Sequence, residues 1–319
     1  MTKVIVVGAG QWGKNLVRTY HELNALVAIV EADTRLQESL HITYPEIPIY
    51  SDYSQAIQLE DTAAVVIATP VPTHFSLAKE ALLKGRDVFI EKPMTLSSKD
   101  AEELIRIAAE NQLILMVGHL LLYQPAIEKM KEVIVSGKIG QLHSLHQERM
   151  KLGRVRSVEN VLWSFGVHDL AVLLHLVEDT PSGITVNGQR VVQPHVEDDI
   201  YVHMAFQNGV QAHLHTSWLW PEVRRRLVAI GSEGMLVYDE EKQIVTLHRK
   251  GIESDLSNRE EGIEILYEGN VQPLTLECLH FLDCVQIRKQ PRSDGDNGLE
   301  VIKVLEQCSS ILQKGTKTK

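Results

Sequence analysis

Three cysteines in 319 residues, Cys278, Cys284 and Cys308, match neither a disulfide framework nor a metal-ligand spacing. Such sparse thiol usage fits a reducing compartment, and a cytoplasmic protein is expected. Long apolar runs are missing too; none approaches the length of a membrane span, so no membrane association is expected. Positive charge is in short supply, with 32 Lys and Arg against 42 Asp and Glu, a net charge of −10. A field of that sign disfavours nucleic acid and anionic membrane surfaces as partners. No internal repeat is visible, and low complexity is confined to the polar tail Lys314 to Lys319. A signal peptide is not expected either, since the apolar strand Val4-Ile5-Val6-Val7 comes almost at once. What is present is an ordinary globular composition, 44% hydrophobic and 23% charged, long enough for two domains.

The most informative feature follows that first strand. Gly8-Ala9-Gly10-Gln11-Trp12-Gly13 is a glycine fingerprint placed between a strand and a helix that begins near Trp12. Glycines there let the backbone turn sharply and approach a pyrophosphate, while the helix N-terminus favours the anion. A second apolar run, Leu26 to Val30, ends in Glu31-Ala32-Asp33, about 20 residues on, where an acid can bind the adenosine ribose hydroxyls. Both acids would repel a 2′-phosphate, so the expected cofactor is NAD, held by Gly8, Gly10, Gln11, Trp12, Gly13, Glu31 and Asp33.

Strands at 3–7, 26–31, 63–68, 87–90 and 113–117 alternate with helices, one of them capped by Ser97-Ser98-Lys99-Asp100. That pattern predicts an α/β Rossmann domain with a doubly wound parallel sheet over residues 1–121. Beyond it the period changes. Helices are read at Pro125 to Val135 and Val161 to Val177, followed by alternating strands such as Ile200 to Phe206 and Val210 to Trp218 around an Asn208-Gly209 turn. Further strands are expected near 142–150, 184–192, 225–230, 234–238 and 243–248, with a closing helix from Gly298 to Lys314. The second domain, 122–319, is therefore expected to be α+β with a large, mostly antiparallel sheet. A half-apolar sheet needs covering, which predicts a homodimer or homotetramer.

Two places carry candidate chemistry. Glu91-Lys92-Pro93 closes a core strand, where Lys92 can donate to a substrate hydroxyl or simply end the strand in solvent. His168, in Trp163-Ser164-Phe165-Gly166-Val167-His168-Asp169, can accept a hydroxyl proton or merely pack at a helix start. Asp169 can orient that imidazole or complement the helix dipole. Arg149, Lys151, Arg154 and Arg156 form a basic stretch suited to a diphosphate, with a solvated strand face as the bland alternative. Arg224-Arg225-Arg226 reads more simply as solvated charge. His203, His213 and His215 lie on alternating strands without a carboxylate at a fixed offset, so no metal is expected.

Taken together, Gly8/Gly10/Gly13, Glu91-Lys92-Pro93 and His168-Asp169 resemble the glucose–fructose oxidoreductase/inositol dehydrogenase (Gfo/Idh/MocA) family. The resemblance covers essentially the whole chain, including Ala68-Thr69-Pro70 with Thr73-His74. It implies that Lys92 and His168 are catalytic, flanking the reacting carbon. It also adds Thr69, Pro70, His74, Glu91 and Lys92 to the cofactor-binding residues. Val117-Gly118-His119-Leu120-Leu121-Leu122-Tyr123-Gln124-Pro125-Ala126 is similar to the sugar-nucleotide branch, as are Ser217 to Pro221 and Glu277 to Phe281. That likeness implies substrate contacts from Lys92, Tyr123, Arg149, Lys151, Arg154, Trp163, Ser164 and His168. It implies oxidation of a nucleotide sugar, the 3-hydroxyl of UDP-N-acetylglucosamine, to a 3-keto sugar for a partner aminotransferase. The alternatives are UDP-N-acetylglucosaminuronate, a free sugar or cyclic polyol as substrate, or a non-catalytic NAD-binding regulator. One departure stands out: many family members carry Asp four residues before the histidine, where this chain has Ser164.

Overall fold

The β-branched run Val4–Val7 forms β1, fully buried on both faces as a central parallel strand must be. Around it the computed structural model, which describes residues 2–316, builds β2 (Leu26–Val30), β3 (Ile49–Tyr50), β4 (Ala64–Ile67), β5 (Asp87–Glu91) and β6 (Leu115–Gly118). Helices α1 (Gly13–Glu22), α2 (Thr34–Thr43), α3 (Tyr53–Ala56), α4 (His74–Leu83) and α5 (Ser98–Glu110) alternate with these strands. Their order is β3-β2-β1-β4-β5-β6, every pair parallel. The order reverses between β1 and β4, which opens a crevice at the carboxyl ends of those two strands.

The second sheet holds β7 (Leu142–Met150), β8 (Pro181–Gln189), β9 (Asp199–Phe206), β10 (Gln211–Ser217), β11 (Arg224–Gly231), β12 (Met235–Asp239), β13 (Ile244–Ile252) and β14 (Asn258–Glu268). Its order is β14-β13-β12-β11-β7-β10-β9-β8, antiparallel except where β10 meets β7. Alternation works as read: Ile200, Val202, Met204 and Phe206 are buried while Tyr201 and His203 face outward. Helices α6 (Pro125–Val135) and α7 (Val167–Val177) lie on the buried face.

The chain closes with α8 (Pro273–Ile287) and α9 (Gly295–Thr316). Here the structure departs from the sequence expectation. One unit comprises Met1–Leu120 and Gln272–Ile302, the other Leu121–Val271 and Lys303–Lys319. The sequence reading left everything past 121 in the second domain, yet α8 packs on the parallel sheet. Its Phe281 meets Phe89 edge-on with ring centroids 5.7 Å apart, and Arg288 clasps Asp87 at 2.7 Å. Ser293 then bonds to both backbone groups of Val117, covering the outer edge of β6. Strands β3 and β14 and helix α8 were not anticipated, β3 for its length and α8 for its weak amphipathicity. Of the polar tail, residues 317–319 lie outside the described residues. Among the described residues no helix is long and apolar enough to cross a membrane.

Candidate active site

The glycine loop is built for close approach. Gly8 has φ +89°, a conformation that strains any L side chain, and a Cβ on Gly13 would sit 2.0 Å from the Gly8 carbonyl oxygen. A Cβ on Gly10, by contrast, would meet nothing within 4 Å, so that backbone faces open space. Gln11 and Trp12 are exposed beside it. Glu31, just past β2, accepts from the Ala9 N–H at 2.7 Å and from the Asp33 N–H at 3.0 Å. Its carboxylate thus stands against the glycine loop with lone pairs left for ribose hydroxyls. These residues fit an NAD molecule: an open cradle for the pyrophosphate and an acid where a 2′-phosphate would be repelled.

Two expected cofactor contacts have other work. Asp33 caps α2, accepting from the Arg35 N–H at 2.9 Å, so its carboxylate is engaged in ending the preceding loop. His74 is 1% exposed, with ring nitrogens 2.8 Å from the Thr69 carbonyl and 3.0 Å from that of Pro93. Burial lowers its pKa, and the neutral ring donates to one carbonyl or the other. It braces the turn after β4 against the Lys92-Pro93 turn and has no surface left for a cofactor. Thr69 and exposed Pro70 hold the rim of that turn, where Thr69 Oγ1 and Thr73 Oγ1 lie 2.7 Å apart.

Lys92 follows the last residue of β5 and precedes a cis bond to Pro93. Behind it Glu91 is 9% exposed, accepting from the Trp12 indole at 2.5 Å and from the Lys92 N–H at 3.2 Å. Burial pushes the Glu91 pKa up to about 7, while the Lys92 charge and the Trp12 bond pull the other way. Gly118 pairs with Glu91 across the sheet, and a Cβ there would press the carboxylate at 3.1 Å. The next residue, His119, is buried with no hydrogen-bond partner on either ring nitrogen. Burial and then the Lys92 charge hold its pKa down at about 3, so it stays neutral. From α8, Glu277 is wholly buried with both carboxyl oxygens unpartnered; burial and then Glu91 raise its pKa well above the usual range. His119 and Glu277 stood in the sequence motifs, but no spacing rule marks a buried, unpartnered side chain.

In the other unit, Asn160 accepts from the Trp163 N–H at 3.2 Å and donates to Glu197 at 3.0 Å. A π-helical turn, Leu162–Gly166, then leads into α7, whose second residue is His168. Such turns recur at functional sites because they re-aim the side chains around them. His168 and Ser164 are half-buried. Trp163 spends its indole N–H on Ser309 at 3.0 Å, so only its ring can meet a substrate. Tyr123 is buried, 3% exposed, which speaks against a direct substrate contact.

Arg149 corrects the sequence reading most sharply. It was expected to meet a diphosphate, yet it is 8% exposed and already saturated. Its Nε donates to Asp169 at 2.8 and 2.9 Å, and its Nη2 to Glu240 at 2.6 Å. β7 ends at Met150, so Lys151 and Arg154 lie in the loop beyond and do not share a strand face with Arg149. Lys151 sits over the Phe165 ring at 5.7 Å, and Arg154 is exposed. Asp169 serves Arg149 rather than an imidazole, and Glu240 was missed because nothing local in the sequence links residue 240 to 149.

The three histidines of β9 and β10 lie on one face of the second sheet. His203 and His213 pair across β9 and β10 with Nδ1 atoms 2.6 Å apart, and His213 stacks on His146 of β7 at 4.7 Å. His215 stacks on Tyr201 at 3.8 Å and lies 3.2 Å from Asp199.

Comparison with known proteins places this arrangement. Residues 2–119 match the family described as "Oxidoreductase family, NAD-binding Rossmann fold", and residues 127–237 match the "GFO/IDH/MocA C-terminal domain". The chain is similar to the UDP-N-acetylglucosamine 3-dehydrogenase of Acidithiobacillus ferrooxidans, 25% identical over 301 residues covering 93% of each chain. It is also 26% identical, over 73% of its length and 66% of the relative's, to the 2,7-anhydro-N-acetylneuraminate hydratase of Mediterraneibacter gnavus. A solved structure of the Acidithiobacillus ferrooxidans enzyme superposes with a TM-score of 0.89 at 23% identity, covering 98% of this chain and 97% of that one.

Proposed function

The chain belongs to the Gfo/Idh/MocA oxidoreductase family, with an NAD-binding Rossmann fold, and from that premise we propose that it oxidises a secondary hydroxyl of a nucleotide sugar, the 3-hydroxyl of UDP-N-acetylglucosamine. One observation carries this reading. Lys92 stands at the carboxyl end of β5, beside a carboxylate that Trp12 of the glycine loop holds at 2.5 Å. The residue suited to a reacting oxygen is thereby tied to the cofactor cradle.

Bound NAD supplies the acceptor for the hydrogen and electron pair leaving the carbinol carbon. Lys92 donates a hydrogen bond to the hydroxyl oxygen and stabilises negative charge developing there. His168 takes the hydroxyl proton, a role for which imidazole is suited near neutral pH. Glu91 provides the counter-charge to Lys92. Lys151 and Arg154, free of Arg149's burial, are the cations offered to the diphosphate. The ketone product would pass to an aminotransferase, and the uncovered sheet face would pair with a second copy in a homodimer or homotetramer.

The test is NADH formation with UDP-N-acetylglucosamine, UDP-N-acetylglucosaminuronate, glucose and myo-inositol, each with a ketone trap. Selective turnover of UDP-N-acetylglucosamine is expected. Turnover of the uronate, or of a free sugar or polyol alone, would overturn the substrate assignment, and silence on all four would overturn the reading of Lys92 and His168.

A further inference from the structure

The face of β5 that meets α8 carries a second acid, one that the proposed chemistry does not use. Asp87, Phe89 and Glu91 alternate onto one side of that strand. Helix α8 runs along them in the opposite sense. Arg288 donates to Asp87 at 2.7 Å and, two turns earlier in the helix, Phe281 meets the Phe89 ring with centroids 5.7 Å apart. One turn earlier still, Glu277 comes to the level of Glu91. Glu277 is 0% exposed, and neither of its carboxyl oxygens has a hydrogen-bond partner.

Donors at this place go to the other acid. Glu91 accepts from the Trp12 indole and from the Lys92 N–H, and the Lys92 charge favours its ionised form as well. Among the described residues Glu277 has no donor, and the charge that acts on it is the Glu91 carboxylate, which repels. The other titratable groups around the pair are Tyr20 of α1, Cys278 of α8 and His119 after β6. Burial keeps the phenol and the thiol protonated and the imidazole neutral. Among the described residues, Lys92 is therefore the cation that acts on the pair. One cation with two donors holds one carboxylate in a dry setting; a second carboxyl without donors keeps its proton.

We propose that Glu91 and Glu277 form an acid pair holding a single proton behind Lys92, with the proton on Glu277 and the charge on Glu91. Lys92 then faces one counter-charge rather than two, and Glu277 is a positioning residue that acts on it through Glu91. A neutral Glu277 is also a reserve. If Glu91 loses its charge by substitution, the repulsion that keeps the proton on Glu277 goes with it, and Glu277 ionises more readily. The role rests on the reading of Lys92 as the donor to the reacting oxygen, whereas the place of the proton can be measured without any substrate.

The experiment is a carbon-13 NMR titration of the full ligand-free protein labelled at the glutamate side-chain carboxyls, comparing wild type with Glu277→Gln and Glu91→Gln. Above the Glu91 pKa of about 7, one resonance is expected to stay at the position of a protonated carboxyl and to vanish in Glu277→Gln. If that variant does not fold, Glu277→Met makes the same assignment. Glu91→Gln is expected to lower the proton affinity of Glu277 by about tenfold, the size of a like-charge effect between buried carboxyls. Glu277→Gln should move the Glu91 titration by less than about threefold, because Glu277 is still neutral when Glu91 ionises. If Glu91→Gln does not fold, the state of the Glu277 resonance decides alone. A Glu277 resonance ionised alongside Glu91, or one whose titration stays in place in folded Glu91→Gln, would overturn the proposal. The expected titrations, in a protein that turns over no sugar, uphold the pair and refute only the reading of Lys92 in that chemistry.

Discussion

Glu91 and Asp169 invite comparison, since each is a buried carboxylate adjoining a residue assigned to the reaction, Lys92 on one side and His168 on the other. Their partners differ in kind. Glu91 has an indole and a backbone N–H, and burial moves its pKa up to about 7. Asp169 has a guanidinium on both oxygens, and burial raises it to about 6. In both, burial outweighs the opposing attraction, from Lys92 at Glu91 and from Arg149 at Asp169. The first adjoins an indole from the glycine loop; the second has a guanidinium strut to β7.

The largest expected effects fall on the neighbours themselves. Lys92→Met or His168→Asn should each lower NADH formation by roughly 10²–10⁴-fold with NAD affinity retained, the range for loss of a general acid or base. Turnover near wild type in either variant would remove that residue from the comparison. Next comes stability. Arg149→Met leaves Asp169 buried without its guanidinium, while Glu240 keeps Arg225, and should cost about 3–5 kcal/mol in denaturant unfolding, the range for breaking a buried pair from one side. Loss of less than ~1 kcal/mol would mean the strut carries no load.

The pH dependence sharpens the contrast. Because the folded-state pKa of Glu91 is raised, the native protein binds more protons than the unfolded chain between the usual carboxylate value and about 7. The stabilising contribution is therefore fully present below the unfolded pKa and lost as pH rises toward 7. Glu91→Gln should flatten that decline by up to about 1.4 kcal/mol per pH unit in unfolding measurements across the window. An unchanged slope would place the titration elsewhere. The smallest effect on stability is expected at Gly10. Gly10→Ala has room for its methyl group and should leave the melting temperature in place while weakening NAD binding. Gly13→Ala, whose Cβ would sit 2.0 Å from a carbonyl, should lose both. Equal behaviour of the two variants would mean that the cradle is not where the cofactor rests.

The parallel sheet was legible in the sequence because its signals are local: buried β-branched runs, a glycine fingerprint and an acid at the end of the next strand. Lys92 and His168 stand beside element boundaries, but position alone left a structural reading open for each, and it was the family resemblance that implied catalytic roles. The errors share a cause. Arg149 looked like an anion receptor because charge can be read from sequence whereas its partner, ninety-one residues later, cannot. His74 looked like a cofactor contact for want of the two carbonyls that enclose it. Helix α8 was passed over because its apolar residues, Phe281 among them, show no strong face of their own. Trp163 has its indole N–H committed to Ser309, on a helix more than a hundred residues away, a partner no local pattern could show.

The return of residues 272–302 to the parallel sheet has a consequence for the order of events during synthesis. The glycine loop and all six strands leave the ribosome first, yet Phe89 lacks the ring that covers it until Phe281 has been made. The open edge of β6 likewise waits for Ser293 to reach Val117. A nascent chain arrested near residue 121 would therefore display an apolar sheet face and a bare strand edge, features that invite association with other chains. Residues 1–120 are made before 272–302, yet they are finished only when those arrive.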